Sequence, residues 1–90
     1  MKLTVYKYGV PVTDDIFIGL PKGAKILSFG VPPEGGYAVW VLINPEENEI
    51  EQRHFRLAGT GHLLDEERLQ FIGTSLIEES LVFHLFEVLN

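Results

Sequence analysis

The chain has no cysteine and little positive charge: seven Lys and Arg stand against thirteen Asp and Glu in 90 residues. Without cysteine there can be no disulfide staple and no thiolate metal site. The formal charge of -6 disfavours a protein that tracks phosphates, which needs a basic stripe, so direct nucleic-acid binding is not expected. No apolar run reaches the ~18 residues of a membrane span, and the N-terminus lacks the apolar stretch of a signal peptide. The expectation is a cytoplasmic protein with no membrane partner. What is present suits a folded domain: 46% of the residues are hydrophobic and 11% aromatic, which argues against disorder. The length fits one domain over residues 1–90. A chain of this size buries roughly 60–65% of its unfolded surface, so its core is thin.

Pro and Gly punctuate the sequence at the spacing of short strands. Leu3 to Tyr8 alternates and is β-branched or aromatic, and Gly9-Val10-Pro11 ends it. Ile16-Phe17-Ile18 makes a second strand before Leu20-Pro21, and Ala24 to Phe29 a third. Pro32-Pro33-Glu34-Gly35-Gly36 reads as a loop. Tyr37 to Ile43 is apolar on both faces, the mark of a central strand. Ile50 to Leu57 places Phe55 and Leu57 on one face and His54 and Arg56 on the other. It is expected to form a hairpin with Tyr37–Ile43 across Asn44–Asn48. The tail is ambiguous. Leu69–Leu76 and Leu81–Leu89 read as strands, yet Ser75-Leu76-Ile77-Glu78 fits a helical capping box and Leu81, Leu85 and Leu89 repeat at helical spacing. Val82, Phe83, Phe86 and Val88 favour extended backbone, so a hairpin is preferred over a helix. Asp65-Glu66-Glu67-Arg68 suits one helical turn. The expectation is all-β and mostly antiparallel: about seven short strands in a small β-sandwich or partly open barrel.

Several stretches together carry a resemblance: Tyr6-Lys7-Tyr8, then Leu20 to Ser28, Trp40, Phe55-Arg56, Gly59-Thr60-Gly61-His62, Phe71-Ile72-Gly73-Thr74 and Val82 to Glu87. The chain resembles a family of short uncharacterised proteins from bacteriophages and prophage-bearing bacteria, almost end to end. The resemblance implies a phage or prophage context and brings no catalytic residue or ligand with it. It also implies a Gly-rich turn between the last two strands, where this chain has Ile77-Glu78-Glu79-Ser80.

Arg56-Leu57-Ala58-Gly59-Thr60-Gly61-His62 is the segment richest in binding chemistry. Two glycines around a threonine let backbone N–H groups converge on an anion. Arg56 offers a planar fork for phosphate or carboxylate, while Arg53 lies on the opposite face of its strand. Arg56, Gly59, Thr60, Gly61 and His62 are therefore the candidate ligand-binding residues, for a small anion such as a nucleotide. The plain alternative is a turn that needs glycine for its φ angles. His54, His62 and His84 have no HxH or HxxxH spacing, so neither a metal site nor a cofactor is expected. The carboxylates fall in predicted turns and form no acid–base pair, and a nucleophile elbow is lacking, which argues against an enzyme. Were the apolar run Leu81–Phe86 at a sheet edge, it would template a homodimer, with Val82, His84 and Phe86 at the interface. Three readings follow: an acidic accessory protein that binds a host protein, a binder of a small anion, and a subunit of a phage assembly.

Overall fold

The computed structural model describes residues 1–65, 68–78 and 80–89. Among them the chain forms seven strands and no helix: β1 (Thr4–Val10), β2 (Asp15–Pro21), β3 (Lys25–Gly30), β4 (Tyr37–Ile43), β5 (Ile50–Gly59), β6 (Leu69–Glu78) and β7 (Leu81–Val88). β1-β4-β3 make a three-stranded sheet and β2-β5-β7-β6 a four-stranded one. Every pairing is antiparallel. The two sheets share no ladder, so the architecture is a sandwich and not a closed barrel. The shortest dimension, 16 Å, suits two twisted sheets about 10 Å apart.

Strand periodicity decides which side chains fill the interior. In β2, Ile16 and Leu20 are buried while Asp15 and Phe17 are exposed. In β4, Val39, Val41 and Ile43 point inward and are almost wholly buried. Phe55 and Leu57 of β5 and Leu85 of β7 meet them from the facing sheet. Tyr37 links the two layers: its ring stacks on Phe29 at 5.3 Å and meets Phe83 edge-on at 5.5 Å. Trp40, on the outer side of β4, lies over Gly30, where a Cβ would sit 3.6 Å from its ring.

Two expectations change. β4 and β5 do not form a hairpin: β4 pairs with β1 and β3, and β5 with β2 and β7. Both edges of β4 are occupied, so Asn44–Glu49 carries the chain across to the other sheet. A turn closed by Glu47 N–H on Asn44 O and Glu46 N–H on Asn44 Oδ1 starts the crossing. β7 is not an edge strand either. It lies between β5 and β6, so its backbone is used on both sides and cannot template edge pairing with a second copy. The tail is a β6–β7 hairpin, with Glu78 and Leu81 as its last pair. The helical turn expected at 65–68 falls partly on residues 66–67, outside the described residues.

One charged pair is built into the interior. Arg53 and Glu87 stand on the inward faces of β5 and β7, and Glu87 is only 7% exposed. Arg53 donates from Nε and Nη2 to the two carboxylate oxygens of Glu87, and from Nη1 to the carbonyl of Ala24 at 2.8 Å. Glu51 lies 3.4 Å from Nη1. The pair thereby ties β5, β7 and the β2–β3 turn together at one end of the core. Glu87→Ala would remove two hydrogen bonds from the part-buried guanidinium, leaving Glu51 beside it, and is expected to cost about 2–3 kcal/mol in urea unfolding. The double variant Arg53→Met with Glu87→Leu should recover most of that loss, because desolvating the pair offsets much of its attraction.

Candidate functional site

The outer face of the four-stranded sheet gathers residues that are scattered in the sequence. Register places Asp15 opposite Arg56 and Phe17 opposite His54. It places Arg56 opposite Phe86 and Ala58 opposite His84, then Phe71 opposite Phe86 and Thr74 opposite His84. Arg56 from the proposed ligand loop and Val82, His84 and Phe86 from the proposed interface therefore share one surface. Two of its aromatic contacts are well defined. Phe17 stacks on His54 with centroids 4.4 Å apart, and Phe71 meets Phe86 at 5.7 Å in a tilted, edge-on pair.

Two polar networks fix this surface. Asp15 Oδ1 accepts from Arg56 Nε at 2.7 Å and lies 2.7 Å from His54 Nε2. A carboxylate can only accept, so His54 carries its proton on Nε2. The hydrogen bond from His54, and after it the one from Arg56, hold the Asp15 carboxyl below its ordinary value of 3.8. In the second network the ring of His84 is bracketed by two hydroxyls, Thr60 Oγ1 at 2.8 Å from Nε2 and Thr74 Oγ1 at 2.8 Å from Nδ1. Neutral imidazole satisfies both, donating from one nitrogen and accepting at the other.

The Gly59–His62 segment is a tight turn. His62 N–H bonds Gly59 O at 3.1 Å, Gly59 N–H bonds His62 Nδ1 at 3.2 Å, and Gly61 has a φ of 87°. The His62 ring folds back over Gly59, where a Cβ would come within 2.9 Å of it. Two N–H groups that would face an anion are thus engaged within the turn. Thr60 turns to His84 and Arg56 to Asp15, so the five residues do not converge. The hollow beside Arg56, about 190 Å³, is also lined by Asp14, Asp15 and Asp65. Three carboxylates around one guanidinium do not suit an anion. The three histidines serve different contacts, and no group of three or more His, Asp or Glu among the described residues could hold a metal ion.

Asp15, Phe17, His54, Phe71 and Thr74 were missed as site residues in the sequence. Alternation within β2 does expose Asp15 and Phe17, but the strands they sit beside follow from the pairing, which periodicity does not encode.

Fold and surface define a small antiparallel β-sandwich with an aromatic, histidine-bearing sheet face. The chain belongs to the family described as Domain of unknown function (DUF7352), which matches residues 1–90. No curated protein and no solved structure matches it.

Because the Asp15 carboxyl titrates lower in the folded chain, its contribution to stability is complete above the ordinary value and is lost as pH falls through the folded one. The stability difference between the natural chain and Asp15→Asn is expected to be constant near neutrality and to shrink only at acid pH. Carbon-detected NMR should place the Asp15 midpoint below 3.8.

Proposed function

We propose that this protein is a non-enzymatic binding module that recognises another protein through the outer face of its four-stranded sheet. One observation carries the reading: Phe17, Phe71 and Leu76 stand 64%, 58% and 56% exposed on a face that also holds His54, His84 and Phe86. By register His54, Arg56, His84 and Phe86 lie between them, and a face that mixes exposed apolar anchors with held polar groups suits an interaction site. Aromatic groups held by neighbours lose little freedom on binding, which favours them as anchors.

Four strands about 4.8 Å apart and some seven residues long give a patch of roughly 20 by 24 Å. That area is at the low end for a stable complex, so flanking turns contribute to the contact. The formal charge of -6 selects a partner with a basic rim and opposes pairing with a second copy, which would double the charge. The resemblance to phage and prophage proteins supports a bacteriophage accessory role in the host cytosol. The partner is then a host protein, such as a defence or regulatory factor.

Capture from host lysate followed by titration with the purified partner tests this. A one-to-one complex is expected, weakened by added salt, with Phe17→Ala raising Kd about tenfold or more. Equal binding by Phe17→Ala, the absence of any stoichiometric partner, or a stable homodimer in sedimentation would refute it.

A further inference from the structure

The two long sides of the sandwich are finished differently. On one side the edges of β3 and β6 approach each other, and Gly73 packs on Phe29, a Cβ there falling 3.4 Å from the Phe29 Cβ. Each edge carries a bulge: Leu27 is the extra residue between Ile26 and Ser28, and Ile72 the extra residue between Phe71 and Gly73. Both bulges border a cleft of about 370 Å³ above the Arg53–Glu87 pair. Bulges bend the strands that hold them and spoil their edges as templates for further pairing. On the other side β1 and β2 share no ladder and make no comparable approach. β1 pairs with β4 alone, so one whole edge of its backbone is unused.

That edge has few of the devices that blunt an exposed strand. Its register runs from Thr4 to Val10 without a bulge, and the strand contains no proline. Its one charge, Lys7, lies on the outer face opposite Trp40 and is tied to Glu34. β2, by comparison, begins with a charged residue and ends in Pro21. The inward face of β1 is also incompletely covered. Thr4, Tyr6 and Tyr8 stand opposite the buried Ile43, Val41 and Val39, so register turns them toward the second sheet, yet Tyr6 is 50% exposed. The facing sheet has four strands where this one has three. Because β3 is aligned with β6, the shortfall lies beside β1. Ile18, on the inward side of β2, is accordingly only half-buried.

We propose that the free edge of β1 takes an extended peptide segment as a fourth strand of the smaller sheet, with alternate apolar side chains turned inward against Tyr6 and Ile18. Main-chain hydrogen bonds supply the attraction and the inward side chains the selectivity. The formal charge of -6 favours an uncharged or basic segment over an acidic one, and over a second copy of this chain. Antiparallel pairing of two β1 edges about their midpoint would also bring the two Lys7 side chains together. The segment lies against the inward sides of β1 and β2, so no residue on the outer face of the four-stranded sheet takes part.

The test is a titration of the isotope-labelled chain followed by amide NMR. The probe is a capped peptide of about eight residues, long enough to span β1, with valine and threonine alternating between terminal lysines. Two companions carry N-methyl groups, one on every valine nitrogen and the other on every threonine nitrogen, and a third has glutamate in place of lysine. Saturable shifts and slowed hydrogen exchange along Thr4–Val10 are expected with the parent probe. One of the methylated companions should bind at least about tenfold more weakly, because its pairing N–H groups are gone. The glutamate companion should also bind more weakly. Tyr6→Lys puts a charge on the inward side of the edge and should weaken the parent probe about tenfold, with the fold verified by the same spectra. Overturning results would be no saturable shift, equal binding of the parent and both methylated companions, equal binding of the glutamate companion, or undiminished binding by Tyr6→Lys. Shifts centred on another strand would also overturn it, as would concentration-dependent shifts at β1 in the chain alone, which would make a second copy the occupant.

Discussion

Each sheet must hide one face against the other, and this single requirement organises the molecule. With 90 residues, little apolar surface is available, and the side chains buried most completely, Phe55, Leu20, Leu85, Val39 and Val41, come from both layers. Their inward orientation leaves alternate residues facing out. The exposed aromatic face is thus the reverse side of the packed one, and neither can change register without the other. A slip of one residue in β5 would bury Arg56 and His54 and expel Phe55 and Leu57.

Strand existence was legible, and so was the β6–β7 hairpin, while the other partnerships were not. Alternation in β2, continuous apolar character in β4 and β-branched residues in β7 each pointed to the right local structure. The turn after β4 looked like a hairpin turn because Asn-Pro at its head is good turn chemistry. Its actual role, crossing between layers, follows from competition for the edges of β4, which β1 and β3 win. The same limit applies to the surface. Alternation separated Arg53 from Arg56 correctly, one inside and one outside. That Arg56 would be held by Asp15, and Thr60 by His84, depends on strands distant in the chain. Glycine spacing at 59–61 reported the turn itself faithfully, and the N–H groups of Gly59 and His62 are engaged within it.

The outer face of the larger sheet and the β3–β6 cleft differ in how they are built. The outer face of the larger sheet is held by short contacts across paired strands, Asp15 with His54 and Arg56, and His84 with two threonines. Those contacts hold its side chains in place, which would limit the ordering cost of any binding there. The β3–β6 cleft arises instead from irregularity, where two bulged edges diverge above a neutralised ion pair. Regular pairing makes a flat surface, and interrupted pairing makes a concavity.

The interior position of β7 bears on how the chain reaches its native state. β5 exposes one whole edge until residues 81–88 arrive, and β6, though earlier in the chain, has no hydrogen-bonded neighbour without them. A nascent chain that has emerged only as far as β6 therefore holds two unmatched strands, a situation prone to misassociation. Threading the final hairpin so that β7 docks on β5 completes the larger sheet in one cooperative event. Folding of the larger sheet should for that reason wait on the long-range β5–β7 pairing, with little stable four-stranded structure forming before it.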